Sequence, residues 1–365
     1  MKPLNIGNRI ADLPIIQGGM GVGISLAGLA SAVANEGGIG VIATAGIGML
    51  EPDSFSNFLE ANVRALRNEI RKAKQKTQGV LGVNIMVALS NFGDMVRTAV
   101  EEKIDVIFSG AGLPLNLPAL VQKSGAAKLV PIVSSARAAG LIIRKWLAKH
   151  DYCPDAIVVE GPLAGGHLGF KPEQIGDPNF SLEKLIPEVV AEVRPFEDER
   201  GRAIPVIAAG GIYTGSDIRK FMELGAAGAQ MATRFVGTDE CDASPEFKNA
   251  FVNAGKDDLV IIESPVGMPG RAIKNRFIED IKAGKKKPFK CPYHCIVTCK
   301  QKASPYCIAL ALTNALKGRL KHGFAFAGAN AYRVDKIMPV KALIRELLRE
   351  YGEAAGPQAP ETGAR

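Results

Sequence analysis

The chain has 365 residues, 47% of them hydrophobic, and a net charge of +8. That composition supports a large core and excludes global disorder. Aromatics are only 6% and no recognition motif accompanies the basic excess, so nucleic acid is excluded as the expected partner. Six cysteines are too few for a secreted disulfide scaffold. MKPLNIGNRIADLP shows no signal-peptide pattern and no run of about 18 apolar residues offers a membrane span, so a cytoplasmic protein is the expectation.

Short β-branched runs alternate with longer helical stretches. The predicted strands are 13–17 (LPIIQ), 38–44 (GIGVIAT), 79–87 (GVLGVNIMV), 104–109 (IDVIFS), 128–134 (KLVPIVS), 156–160 (AIVVE), 204–210 (IPVIAAG) and 227–233 (AGAQMAT). They are almost continuously apolar, as parallel strands covered on both faces must be. Helical spacing occupies 25–38, 54–76, 134–150, 181–194 and 215–225, the last opening on Ser216 and Asp217 and closing on glycine. Eight β-then-α units predict the α/β class: a (β/α)8 TIM barrel with a C-terminal helical arm. An open doubly wound sheet is the alternative, because periodicity does not reveal closure. The barrel is expected over 1–240. A helical region packed on it follows over 241–350 and carries a Cys-rich segment at 291–307. The small, polar tail 351–365 is expected to be disordered.

A barrel enzyme builds its site at the C-terminal ends of the strands. The features that fall there are QGGMGVG (17–23), Asn84, SGAG (109–112), EGPLAGGHLGF (160–170), AAGGI (208–212), Gln230 and Thr233. Glycines after strands seven and eight can present backbone N–H groups to a phosphate. Asn84 and Gln230 could then hydrogen-bond a flat heterocycle, or simply satisfy buried backbone groups. His167, between glycines just past strand six, reads as a general base or as a structural histidine bonded to a carbonyl.

In order, QGGMGVG, GVNIMV, SGAG, EGPLAGGHLG, PVIAAGGI, GAAGAQMATRFV and GRAIKNRF resemble the FMN-dependent nitronate monooxygenase family, formerly called 2-nitropropane dioxygenases. They resemble equally its relatives, the FMN-dependent enoyl-acyl-carrier-protein reductases. The likeness covers about residues 1–280 and resumes at 323–337. It implies FMN in the barrel mouth, with the backbone of Gly19, Met20 and Gly21 along the isoalloxazine. Asn84 would reach the flavin or ribityl chain, and Gly165 and Gly166 would pack near the cofactor. Gly210, Gly211, Gln230, Met231, Ala232 and Thr233 would hold the phosphate end; relatives often have glycine where Ala232 stands. His167 matches the family's active-site histidine.

The resemblance implies one of two reactions on a small-molecule substrate. The first is oxidation of a nitronate by dioxygen to a carbonyl compound and nitrite. The second is reduction of an enoyl thioester, or of a quinone, with NAD(P)H as donor. A non-catalytic flavin relay is the alternative of a different class. The basic run KAGKKKPFK (282–290) reads as a solvated loop or as a landing patch for an acidic carrier protein. A homodimer is expected from the fold class alone.

Cys291, Cys295, Cys299 and Cys307 stand at C-x3-C-x3-C-x7-C spacing. Such thiols can bind a 4Fe-4S cluster or zinc. Alternatively, the first three share one face of a helix as small buried residues. The family resemblance does not supply this segment. Cys153 and Cys241 are isolated and expected to be buried.

Overall fold

The computed structural model describes residues 1–121, 127–285, 287, 289–291 and 293–354. Eight parallel strands form one sheet: β1 (Ile15–Gln17), β2 (Gly40–Ala43), β3 (Leu81–Met86), β4 (Val106–Gly110), β5 (Lys128–Val133), β6 (Ile157–Glu160), β7 (Val206–Ala209) and β8 (Gly228–Met231). Each lies within a predicted run, to within one residue. Pairing is sequential from β2 to β8, and β8 then pairs with β1. The seam between β1 and β2 is closed by a parallel bridge from Ile16 to Ile39. Across it Gln17 N–H donates to Ile39 O at 3.0 Å and Ile39 N–H to Ile15 O at 2.9 Å. The buried Gln17 side chain extends the seam by accepting Val41 N–H at 3.0 Å. The sheet is a closed barrel, and the open alternative is excluded.

Alternate strand residues point in opposite directions, so each strand serves two cores. Ile16, Val41, Phe108, Val130, Val158 and Ile207 fill the barrel interior. Ile15, Ile42, Ile107, Leu129, Ile157 and Val206 pack outward under the helices. An N-terminal hairpin that local patterning does not reveal, Leu4–Ile6 paired with Arg9–Ala11, adds Leu4, Ile6 and Ala11 to the interior cluster. It plugs one mouth and leaves the C-terminal rim as the open end.

The outer helices are α1 (Ala27–Asn35), α2 (Phe58–Lys76), α3 (Phe92–Glu101), α4 (Leu117–Val121), α5 (Ala136–His150), α6 (Leu182–Arg200) and α7 (Gly215–Glu223). The α7 cap is Thr214 rather than Ser216. Thr214 Oγ1 accepts Asp217 N–H at 3.1 Å, and Asp217 Oδ2 accepts Thr214 N–H at 2.8 Å. This reciprocal box satisfies two donors that the first turn would otherwise leave open. A single turn, α8 (Thr233–Val236), follows β8.

The C-terminal region is not helical throughout. It contains α9 (Pro245–Val252), an antiparallel ribbon of β9 (Leu259–Glu263) and β10 (Pro269–Ile273), then α10 (Arg276–Lys282), α11 (Ile308–Leu316) and α12 (Val340–Glu353). The β-branched run Val260–Ile262, followed by a Pro/Gly-rich turn with Gly267 at φ 84°, makes a hairpin where a broken helix was expected. The helix α12 runs through Tyr351 to Glu353, so the first residues of the expected tail are helical. Residues 355–365 lie outside the described residues. Among the described residues, no helix is long and apolar enough to cross a membrane.

Candidate active site

The open rim encloses a cavity of about 870 Å³. Gly19, Met20, Gly21, Asn84, Gly165, Gly166, His167, Gly210, Gly211, Gln230, Met231, Ala232 and Thr233 all line it, so every predicted cofactor or catalytic residue converges on one space. The four cysteines do not arrive together there; only Cys295 reaches the wall.

The far end of the cavity has the backbone donors to cradle an anion. Gly210 and Gly211 turn out of β7 at φ 93° and 88°, a left-handed pair that side chains disfavour. The backbone N–H groups of Gly210, Gly211, Ala232 and Thr233 make no hydrogen bond among the described residues. Unpaired N–H groups are costly unless a ligand takes them, and their position after β7 and β8 is where barrels bind phosphate. Two residues of the C-terminal segment complete the wall. Gly328 N–H donates to Thr233 Oγ1 at 3.0 Å, and Asn330 Nδ2 to Gly211 O at 2.6 Å. Accepting that bond leaves the Thr233 hydroxyl its own O–H to donate, beside its backbone N–H. The side-chain amides of Asn84 and Gln230 make no hydrogen bond to protein among the described residues, so both are open to a ligand's polar edge.

His167 is held from three sides. Gly166 and His167 add to β10 as a third strand, with Gly270 opposite His167 and Arg271 opposite Gly166. Its Nε2 shares a 2.7 Å hydrogen bond with Ser264 Oγ in the β9–β10 turn. The Phe326 ring stands 5.0 Å away at 62°. Burial pushes the imidazole down to about 4, so it is neutral near pH 7. The other ring nitrogen, Nδ1, makes no hydrogen bond to protein among the described residues. It is an acceptor when Nε2–H donates to Ser264, and a donor when the Ser264 hydroxyl donates to Nε2.

Four contributors escape a sequence reading. Arg271, buried in β10, donates to Pro162 O at 2.7 Å and Ala164 O at 2.6 Å, fixing the loop that carries His167. An arginine inside an apolar strand was the visible signal. Ser264 and Asn330 had none, since each acts through a partner roughly a hundred residues away. Glu160, the last residue of β6, lines the cavity, and burial alone pushes its carboxyl up to about 7. A charge ending an apolar strand was its signal.

The cysteine segment is not a helix. Among the described residues Cys291, Cys295 and Cys299 lie on no helix, so the one-face arrangement does not form. All four thiols are free and partly buried. Among the described residues no three such side chains converge closely enough to hold a single metal ion. Cys153 and Cys241 are buried, as expected. In the basic run, Lys285 and Lys287 share Asp280 at 2.7 and 3.6 Å.

A barrel with an empty-handed N–H cradle after β7 and β8, facing two open amides, is the framework of an enzyme that carries a phosphate-bearing planar cofactor. The comparisons with known proteins are specific: the model of the nitronate monooxygenase family matches residues 5–350. The chain belongs to the nitronate monooxygenase family and is a flavin-dependent oxidoreductase. It is 30% identical over 271 residues to the Mycobacterium tuberculosis (3aS,4S,5R,7aS)-5-hydroxy-7a-methyl-1-oxo-octahydro-1H-indene-4-carboxyl-CoA dehydrogenase, covering 74% of this chain. That match spans 66%, just under two thirds, of the mycobacterial enzyme's length. A probable nitronate monooxygenase of Staphylococcus aureus is 29% identical over 308 residues, covering 74% of this chain and 78% of that one. Among solved structures, FabK from Thermotoga maritima superposes with a TM-score of 0.73 at 30% identity over 94% of each chain.

Gly165 tests the cradle. A Cβ there would stand 2.6 Å from both Ala327 C and Gly328 N, backbone atoms that cannot swing aside. Gly165→Ala must push the loop off the segment that supports Thr233. The expected result is flavin affinity weakened about tenfold, or about 1.4 kcal/mol, read by fluorescence titration of the flavin-free protein. Unchanged affinity would show that this contact does not shape the cofactor site.

Proposed function

We propose that the protein holds FMN in the barrel mouth and oxidises alkyl nitronates with dioxygen to a carbonyl compound and nitrite. The observation that carries this reading is His167, a neutral imidazole with one unengaged nitrogen on the cavity that contains the anion cradle. The N–H groups of Gly210, Gly211, Ala232 and Thr233 would take the phosphate. Asn84 and Gln230 would meet the polar edge or ribityl chain. Gly19, Met20, Gly21, Gly165 and Gly166 leave room for the ring. Bound there, FMN would supply the redox chemistry, accepting electrons from the nitronate with dioxygen as the final acceptor.

The chain's own groups bind, orient and exclude water. With Nδ1 protonated, His167 donates a hydrogen bond that orients the nitronate oxygen. With Nδ1 unprotonated, it takes the α-proton of a neutral nitroalkane. Ser264 fixes the ring's rotation and Phe326 covers it. Met20, Met49, Met268 and Leu89 line the cavity with apolar surface, which suits an alkyl chain and keeps water from the reacting carbon.

A second reading has its own support. The mycobacterial relative is named for a carboxyl-CoA substrate, and Lys290 stands exposed in the segment that brings Cys295 to the cavity. In this reading NAD(P)H is the donor, an enoyl thioester the acceptor, and an acidic carrier protein the partner. Anaerobic mixing separates the readings by flavin absorbance. Bleaching by an alkyl nitronate and not by NAD(P)H is expected. Bleaching by NAD(P)H with reoxidation by an enoyl thioester would replace the first reading with the second. No bleaching by any donor would leave only a flavin relay.

A further inference from the structure

Between α10 and α11 the described residues from Ala283 to Cys307 have hardly any regular structure. Among them there is one short turn, Gln301–Ala303, and one isolated bridge, Leu89 to Ile296. A loop of that length inside a compact domain is usually either functional or a linker. It is nevertheless fastened to the rim. Ser90 N–H donates to Cys295 O at 3.1 Å and Val297 N–H to Ala88 O at 3.0 Å. Lys287 N–H donates to Pro305 O at 2.7 Å, drawing the two ends of the loop together. Cys295 and Ile296 line the cofactor cavity as a result.

The loop gathers its four thiols. Cys295 and Cys307 pack in one cluster with Tyr293, Val22 and Met49. Cys307, Cys291 and Cys299 all lie close enough to Cys295 to act on it electrostatically, with burial the larger influence. One of the sulfurs already faces an N–H group. His294, at φ 42°, donates its N–H to Cys291 Sγ at 3.4 Å. A left-handed non-glycine residue is uncommon, and here it aims an amide at sulfur. Cys307 is the N-cap residue of the nine-residue helix α11. Amides directed at cysteine sulfur are the outer-shell contacts that support and tune metal thiolates.

The spacing discriminates between ligands. Tetrahedral zinc needs four sulfurs about 2.3 Å from one centre, and no three of these thiols converge on one ion. In a four-iron cluster each thiolate binds its own iron, so the ligands stand further apart. The cluster's net negative charge would be offset by Lys290, Lys300 and Lys302, exposed in the same loop.

We propose that Cys291, Cys295, Cys299 and Cys307 hold a 4Fe-4S cluster on the wall of the cofactor cavity, with Cys295 the ligand that also lines the cavity. Neither reading of the substrate is needed for this site. The test uses the full chain, purified without oxygen and reconstituted with ferrous iron and sulfide. About four iron and four acid-labile sulfide per chain are expected, with a paramagnetic signal after dithionite reduction. Cys299→Ala should lose the signal and more than half the iron, whereas Cys153→Ala, a buried thiol outside the loop, should keep both. Flavin content and a circular-dichroism melt check that each variant is folded. Where Cys299→Ala does not fold, Cys291→Ser carries the same readout. Zinc in place of iron, iron no higher than in a control protein, or equal iron in the folded loop variant would each overturn the proposal.

Discussion

His167→Ala should lower kcat/KM for the nitronate about a hundred- to ten-thousand-fold, the range expected for losing a positioned proton-transfer or hydrogen-bonding group, with flavin content unchanged. Unaltered kcat/KM in a flavin-loaded variant would remove His167 from the reaction. His167→Gln separates its two roles, since glutamine donates a hydrogen bond but takes no proton near neutrality. It should recover turnover of a preformed nitronate and not of the neutral nitroalkane. The pH behaviour follows from burial. The imidazole is held down to about 4, so the activity that needs it neutral falls only as pH drops through about 4, not near the ordinary 6.5. Between about 4 and 6.5 the unfolded chain binds a proton here that the folded chain does not. The His167 contribution to stability therefore rises with pH across that window and is flat above it.

Glu160→Gln should stabilise the protein above pH 7 and leave it nearly unchanged at pH 4.5. Burial raises the carboxyl from 4.5 to about 7, so between those values the folded chain keeps a proton that the unfolded chain releases. Stability from this residue is present at low pH, declines as pH rises through the window, and stays low above it. The shift corresponds to about 3 kcal/mol, an upper bound because the carboxyl borders an open cavity. The variant's gain in Tm should appear between pH 4.5 and 7. An inflection near pH 7 in the kcat/KM profile should vanish with it. An equal gain at both pH values would show that ionisation is not the cause. The two residues have opposite slopes where their windows overlap, so the parent protein should vary less with pH there than either single variant.

The barrel was legible because parallel strands buried on both faces need unbroken apolar runs, and eight of them stand out against charged helices. The N-terminal hairpin and the β9–β10 ribbon were not, because strands of three to five residues gain their identity from distant partners rather than local rhythm. The site divides along the same line. Gly210, Gly211 and His167 announce themselves as glycines and an imidazole at strand ends. Ser264, Arg271, Phe326 and Asn330 acquire roles only when the C-terminal region folds back on the rim. The cysteine spacing is compatible with a helix face, but among the described residues that segment is irregular, so there the period alone did not decide.

The anion cradle is assembled from both ends of the chain's history. Strands β7 and β8 leave the ribosome well before Gly328 and Asn330, which bind Thr233 and Gly211, and before α12, whose Glu346 pairs with Arg234 at 2.9 Å. A nascent chain can close its barrel while the cradle still lacks its outer wall. The cradle is thus complete only once the segment from Gly328 through α12 has folded back on the rim.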